Sequence, residues 1–468
     1  MRVAILGGGL TGLSTAWKLT QASSDHSVTV IEQRSQVGGL AGSFAHGPYV
    51  LDYGPHRFHT TLPNVFDDVT DLIGDDLQPI PKKLGFNLNG RLVDFPVRFT
   101  DLLAKMGLGF TVKAGTECLN AMVRGRLQHA PETSYRDLLV HQFGPTISGL
   151  FFEPLAQKAW GDPTTLDAQL ARSRVLPPNL VEMIKETLGL GGPTKPIEHF
   201  YYPRQSIGEI SVALRERIEL GGGQILCSSR PISMVRDGDK VQTLTVDALG
   251  VKRELPVDFV VSTIPINALL RLFQPRPDDQ VLQTVDSLEY ADLILAYFVV
   301  KRRHVLDYAW VYYPEVDIPF NRLMDKRRFS SAGLPDDRTV LCAEVTPPQD
   351  GIRLQVDDDR LYEDLVPAFQ RLGVVSRTEI EDYFTVKVPL AYPLYPIGFD
   401  KPVGATLGYC RTVSNLLTVG RHGLFNYSNM DHAIDMGDIA ADIVQHNGRG
   451  RWTWEGLLKR TKEYRIYG

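Results

Sequence analysis

The chain has 468 residues, more than one ordinary hydrophobic core serves, so two or three subdomains are expected. Hydrophobic residues at 43%, charged residues at 22% and a formal net charge of −5 fit a water-soluble globular protein and exclude a general attraction to nucleic acid or anionic membrane. Four dispersed cysteines (Cys118, Cys227, Cys342, Cys410), with no CxxC pair, argue against a disulfide framework or zinc site and fit a reducing, cytoplasmic setting.

From residue 3 the order is strand, glycine turn, helix, strand, acid. Val3-Ala4-Ile5-Leu6 reads as a buried strand, Gly7-x-Gly9-x-x-Gly12 follows it, and Leu13 to Leu19 is compatible with a helix. The opening apolar run is too short, and too soon broken by glycine, for a signal peptide. The next apolar run, Val28-Thr29-Val30-Ile31, ends at Glu32, twenty residues past the last glycine. Each part has a physical task at a dinucleotide. The glycines permit a tight turn and close backbone approach, the helix N-terminus faces the pyrophosphate, and the carboxylate accepts from a ribose hydroxyl. Arg34 and a second glycine group, Gly38-Gly39-Leu40-Ala41-Gly42, come next and let another backbone segment approach a long cofactor, an ordinary glycine-rich turn being the alternative. This segment resembles the glycine-doublet motif of FAD-dependent amine oxidases, protoporphyrinogen oxidases and UDP-galactopyranose mutases, and the resemblance implies FAD.

Asp52-Tyr53-Gly54-Pro55-His56-Arg57-Phe58-His59-Thr60 packs two histidines into four residues. With no compact set of further ligands nearby, a metal site is not expected, and structural histidines are the plain reading. The stretch is similar to a mutase loop lying against the flavin ring, which implies that His56 and His59 are active-site groups. Residues 61–196 carry helix patterns, such as Val65 to Leu72 and Tyr135 to Phe143, and Gly189 to Pro196 reads as a loop. Within this span, Gly90 to Pro96 and Phe151 to Gly161 resemble segments of the mutases and of oxidase-like proteins. The resemblance places Trp160, Arg172 and Arg174 at the substrate, burial in the helical core being the alternative for Trp160.

Further along, a helix-like stretch from Ile207 to Leu220 precedes the apolar run Gln224 to Cys227, and Phe259 to Thr263 and Leu416 to Gly420 read as further strands of one mostly parallel sheet. Leu293 to Val300, Ala309 to Tyr313 and Val340 to Val345 mark a strand-rich segment. Ile318-Pro319-Phe320-Asn321-Arg322 and Tyr392-Pro393-Leu394-Tyr395-Pro396 resemble mutase segments that contact the nucleotide diphosphate, implicating Arg322 and Tyr395. Val419-Gly420-Arg421-His422-Gly423 leads through Tyr427 to Asn429-Met430-Asp431 and a helix, an order that again aims backbone N–H groups at an anion. A surface loop with a helix cap is the alternative. By resemblance Gly420, Arg421, Asn429, Met430 and Asp431 meet the flavin and Tyr427 the phosphates. The basic, aromatic stretch 449–468 reads as a solvated terminal helix rather than a membrane anchor.

The expected fold is therefore α/β, with a discontinuous Rossmann-like FAD-binding domain (1–60, 197–285 and 386–448). Into it are inserted a mostly helical segment (61–196) and a β-rich substrate domain (286–385), followed by a tail (449–468). The resemblance implies a mutase in which N5 of reduced FAD attacks the anomeric carbon of a sugar nucleotide, with no net redox. The alternative is an oxidoreductase of the amine oxidase or protoporphyrinogen oxidase type taking a hydride from its substrate. The arginines favour an anionic substrate in both cases. With one dinucleotide motif visible, any NAD(P)H reductant would bind transiently near the flavin.

Overall fold

Two sheets that share one cleft organise the molecule. A computed structural model describes residues 1–22, 25–95, 99–127, 132–174, 199–347, 354–464 and 466; the loop expected at Gly189 to Pro196 lies outside them. The first sheet is parallel and contains β1 (Arg2–Leu6), β2 (Ser27–Ile31), β3 (Gln224–Leu226), β4 (Phe259–Ser262) and β5 (Leu416–Thr418), in the order β5-β4-β1-β2-β3. Strands covered on both faces need continuous apolar runs, which is why β1 and β4 read as VAIL and FVVS and are buried along those residues. The expected elements are present with small shifts of boundary. The helix expected from Ile207 begins at Glu209, and the strands stop one or two residues short of Cys227, Thr263 and Gly420.

Helix α1 (Leu10–Ala22) runs from the first glycine turn, and α2 (Met430–Gln445) packs across it. The crossing is backbone-close: a Cβ on Gly437 would lie 2.5 Å from Ser14 Cβ and 2.8 Å from the Thr11 carbonyl oxygen. Both helices thereby point their N-termini at the same end of the cleft.

The second sheet has seven strands in the order Ile380–Pro393, Tyr290–Val300, Thr339–Val345, Arg322–Asp325, Trp310–Tyr312, Leu84–Leu88 and Arg91–Phe95. Side-chain parity divides its core in two. Along Tyr290–Val300, Leu295, Tyr297 and Val299 join the main core, whereas Ile294, Ala296 and Phe298 pack behind the sheet with Phe369 of the Asp358–Arg371 helix.

Three features add to the sequence reading. Within the 61–196 segment, a Leu84–Phe95 hairpin extends the second sheet by pairing Leu84 in parallel with Trp310. The Ile380–Pro393 strand runs across the border expected at 385/386. The tail is a helix, α3 (Trp454–Glu463), that keeps Glu455, Lys459, Lys462 and Glu463 exposed but also docks: it buries Leu457, and beyond it Tyr464 stacks on His432 at 4.3 Å and donates to Asp435 at 2.7 Å. Its apolar side meets α2 while its charged side meets water.

Candidate active site

A cleft of about 390 Å³ lies between the sheets. At one end it is built from backbone. Gly7 (φ 102°) and Gly38 (φ 115°) take conformations that side chains disfavour, and Gly38 N donates to the Gly8 carbonyl at 2.8 Å, so the two glycine turns lie directly against each other. A Cβ on Gly12 would sit 2.1 Å from the Gly7 carbonyl oxygen, whereas one on Gly9 would point into open space. Gly12 is therefore needed to close the turn, and Gly9 to leave room above it. Glu32 accepts from Gly8 N at 2.7 Å and from Arg34 N at 2.8 Å, which fixes its buried carboxylate at the mouth of the turn.

The N-terminus of α2 closes the same end. Asn429 caps it in a reciprocal box with His432, and Asn429, Met430 and Ala433 line the cleft. Gly420 (φ 86°) and Arg421 reach the wall from the turn after β5. Arg421 donates to the carbonyls of Ala391 and Ser428, and burial lowers its pKa. His422 meets the Leu390 carbonyl at 2.7 Å through Nε2. That carbonyl is delivered by a bulge, with Leu390 at φ 55° and a register shift between Ala291 and Leu293 opposite it.

The histidine loop sits in the middle of the cleft, anchored at Asp52. The buried Asp52 carboxylate accepts from Ser43 Oγ at 2.7 Å, from Ile207 N at 3.1 Å and from Tyr202 OH, while its carbonyl accepts from Tyr297 OH. Lys326, fully buried, donates to Tyr202 OH at 2.8 Å and to the Gln205 carbonyl at 2.7 Å. Desolvation lowers the pKa of His56, and it brings His59 and His422 to about 4, so the last two imidazoles are neutral at neutral pH. His56 Nδ1 is buried and has no hydrogen-bond partner among the described residues.

The opposite wall is cationic. Arg322 and Glu344 face each other across adjacent strands and form a two-pronged pair, Nε and Nη2 each donating at 2.7 Å. Arg174 rests over the rings of Trp160, Tyr392 and Tyr427 at 5.3–5.6 Å. Arg34, Arg57, Arg174, Arg322 and Arg421 line the cleft against two carboxylates, Glu32 and Glu344, among the described residues.

The structure brings together on the lining Gly7, Gly9, Glu32, Arg34, Gly38, Gly39, His56, His59, Arg174, Arg322, Gly420, Arg421, Asn429 and Met430. Other expected site residues stand off it. Tyr395 and Tyr427 are buried and spend their hydroxyls on the carbonyls of Phe425 (3.0 Å) and Pro393 (2.6 Å), so neither is a free phosphate donor. Arg172 is turned to Glu132 at 3.0 Å, and Trp160 supports Arg174 and packs on Tyr135. Asp431 is buried behind the first turn of α2, and Gly12 acts within the turn. Arg57, Tyr312, Glu344, Tyr392, His422 and Ile466 also lie on the lining and are not among the expected site residues. Strand alternation could have exchanged Tyr395 for Tyr392, and Arg57 stands between the two histidines already singled out. Glu344 had no local signal, because it is defined by its pairing across 22 residues.

The family model described as flavin containing amine oxidoreductase matches residues 10–445. The fold is similar to that of a reduced UDP-galactopyranose mutase, with a TM-score of 0.82 and 20% identity over the whole of both chains. It is also similar to a protoporphyrinogen oxidase-like protein of Exiguobacterium, with a TM-score of 0.73 and 15% identity over 95% of this chain and 98% of the other. By sequence, the coproporphyrinogen III oxidase of Staphylococcus aureus is 22% identical over 94% of this chain and 98% of its own length. At these identities the structural likenesses establish the fold alone.

Proposed function

The chain belongs to the family of flavin-containing amine oxidoreductases, and on that footing we propose that it is an FAD-dependent mutase interconverting the ring forms of a sugar nucleotide without net redox. The parallel sheet, with α1 and α2, would form the cofactor domain, and the seven-stranded sheet the substrate side. The residues present suit the cofactor. Two helix N-termini converge on an end built of glycine backbone, Gly9 leaves space where a Cβ would intrude, and Glu32 is set for a ribose hydroxyl. When bound, a flavin would supply a nucleophilic nitrogen in its reduced form or a hydride acceptor in its oxidised form.

One observation carries the choice of substrate: the wall facing the glycine end gathers Arg174, Arg322 and Arg421 around Tyr312 and Tyr392. A diphosphate leaving group needs such charge, held in place before it arrives. Glu344 orients Arg322 and occupies two of its nitrogens, which leaves Nη1 for a ligand oxygen. Arg174, with no ion pair among the described residues and three rings beneath it, would take the second phosphate. The neutral imidazole of His59, beside His56, lines the middle of the cleft without adding charge to the sugar's surroundings. The likeness to a reduced UDP-galactopyranose mutase over the full chain supports this reading.

A specific observation also favours hydride removal from a carboxylated substrate: the coproporphyrinogen III oxidase relative matches nearly end to end, and guanidinium groups suit carboxylates equally well. The test is turnover. Flavin-loaded protein, reduced anaerobically, is offered UDP-galactose and UDP-galactofuranose, and ring conversion is followed by chromatography. Conversion only in the reduced form supports the mutase. Oxygen consumption with coproporphyrinogen III, and no sugar conversion, would replace it with the oxidase.

A further inference from the structure

Between the two cleft histidines lies Arg57, whose guanidinium carbon is 3.8 Å from the Phe200 ring centroid and 4.3 Å from that of Trp310. These rings are fully buried and within 8° of parallel. Two aromatic faces restrict the plane of the guanidinium, so it meets a ligand already oriented. Positive charge is concentrated around the same rings. Arg322 is 5.5 Å from Trp310, and Lys82 Nζ is 5.5 Å from Phe200. Burial together with repulsion from Arg322 and Arg174 brings Arg57 down to about 9, and burial together with Arg57 brings Lys82 to about 8. Both stay protonated at neutral pH, so this corner holds its charge in a poorly solvated place, where an oxyanion gains more than it would in water.

We propose that Arg57 is a specificity residue that binds a further oxyanion on the substrate, a carboxylate borne by the sugar, in addition to the diphosphate. The inference rests on the sugar-nucleotide reading. Glu344 holds Arg322, and Arg174 and Arg322 suffice for two phosphates. On the sugar-nucleotide reading, the loop that carries His56, Arg57 and His59 lines the part of the cleft that the sugar takes.

The test is equilibrium binding of UDP-galactose and UDP-galacturonic acid to flavin-loaded wild type, Arg57→Met and Arg57→Lys, followed by calorimetry. Wild type is expected to bind the carboxylated nucleotide about tenfold more tightly, as one charge-assisted hydrogen bond provides. Arg57→Met removes that preference while UDP-galactose affinity changes less than about threefold, and Arg57→Lys keeps part of it. Equal binding of both nucleotides by wild type, or a preference that survives Arg57→Met, overturns the proposal while leaving the sugar-nucleotide reading intact. If neither nucleotide binds, that reading fails and the proposal with it. Should Arg57→Met lose flavin, the wild-type preference and its reduction in Arg57→Lys still decide.

Discussion

The glycine end and the cationic wall face each other across one cleft and are made in opposite ways. The glycine end consists of main chain: two turns hydrogen-bonded to each other, two helix N-termini, and a carboxylate held by amides. The wall consists of long side chains brought from a loop, a short helix and a sheet, each kept in place by a ring or a carboxylate. A site of main chain tolerates almost no added atom but any compatible neighbour. A site of side chains tolerates volume and fails when a partner is removed.

The largest expected effect follows from that contrast. Gly12→Ala places a Cβ against the Gly7 carbonyl, so the turn cannot close, and the purified protein is expected to be colourless, with flavin retention lowered more than about a hundredfold. Gly9→Ala meets nothing in the protein itself. It should leave the melting temperature of flavin-free protein unchanged and weaken flavin binding about tenfold by fluorescence titration. Equal loss in both variants would show that the turn is not a cradle.

On the wall, Arg322→Ala leaves Glu344 buried without its partner, at a cost of about 3–5 kcal/mol in denaturant unfolding, and should raise KM strongly. Arg322→Ala with Glu344→Gln should regain much of the stability and none of the KM. Recovery of both would take Arg322 out of ligand binding.

Asp431 tests the packing behind the glycine end, in the first turn of α2. Burial raises its pKa to about 6, so the folded chain retains a proton that the unfolded chain releases near the usual carboxylate range. Its contribution to stability is therefore present at low pH and lost as pH rises from about 4 through 6. Asp431→Asn should flatten that fall, raising stability at pH 8 by on the order of 1–3 kcal/mol. An unchanged pH profile would refute the assignment. The smallest effect is expected at Tyr395→Phe, which loses one buried bond to Phe425 for about 1 kcal/mol and leaves KM as it was.

The same division explains what could be read from the sequence. Glycine spacing, apolar runs and the acid at Glu32 are local signals with one geometric meaning, and β1, α1, β2 and the α2 cap follow from them. The wall depends on register between distant strands. Nothing near Arg322 announces Glu344, and nothing near Tyr395 shows that its hydroxyl is taken by the Phe425 carbonyl. The docking of the tail is hidden for a related reason. Its basic and aromatic residues look suited to water, but Arg460 and Tyr464 both converge on Asp435, and Ile466 reaches the cleft lining.

Asp52 is tied at once to Ser43, its antiparallel partner in the Ser43–His46 and Tyr49–Asp52 hairpin, to Tyr202, to the amide of Ile207 and to Tyr297 of the seven-stranded sheet. A loop moored at so many points cannot drift to suit a new substrate without undoing its moorings. Altered selectivity, whether in natural variants or in the laboratory, should therefore come from exchanging the groups that project around His56 and His59, while the path of the chain through them stays as it is.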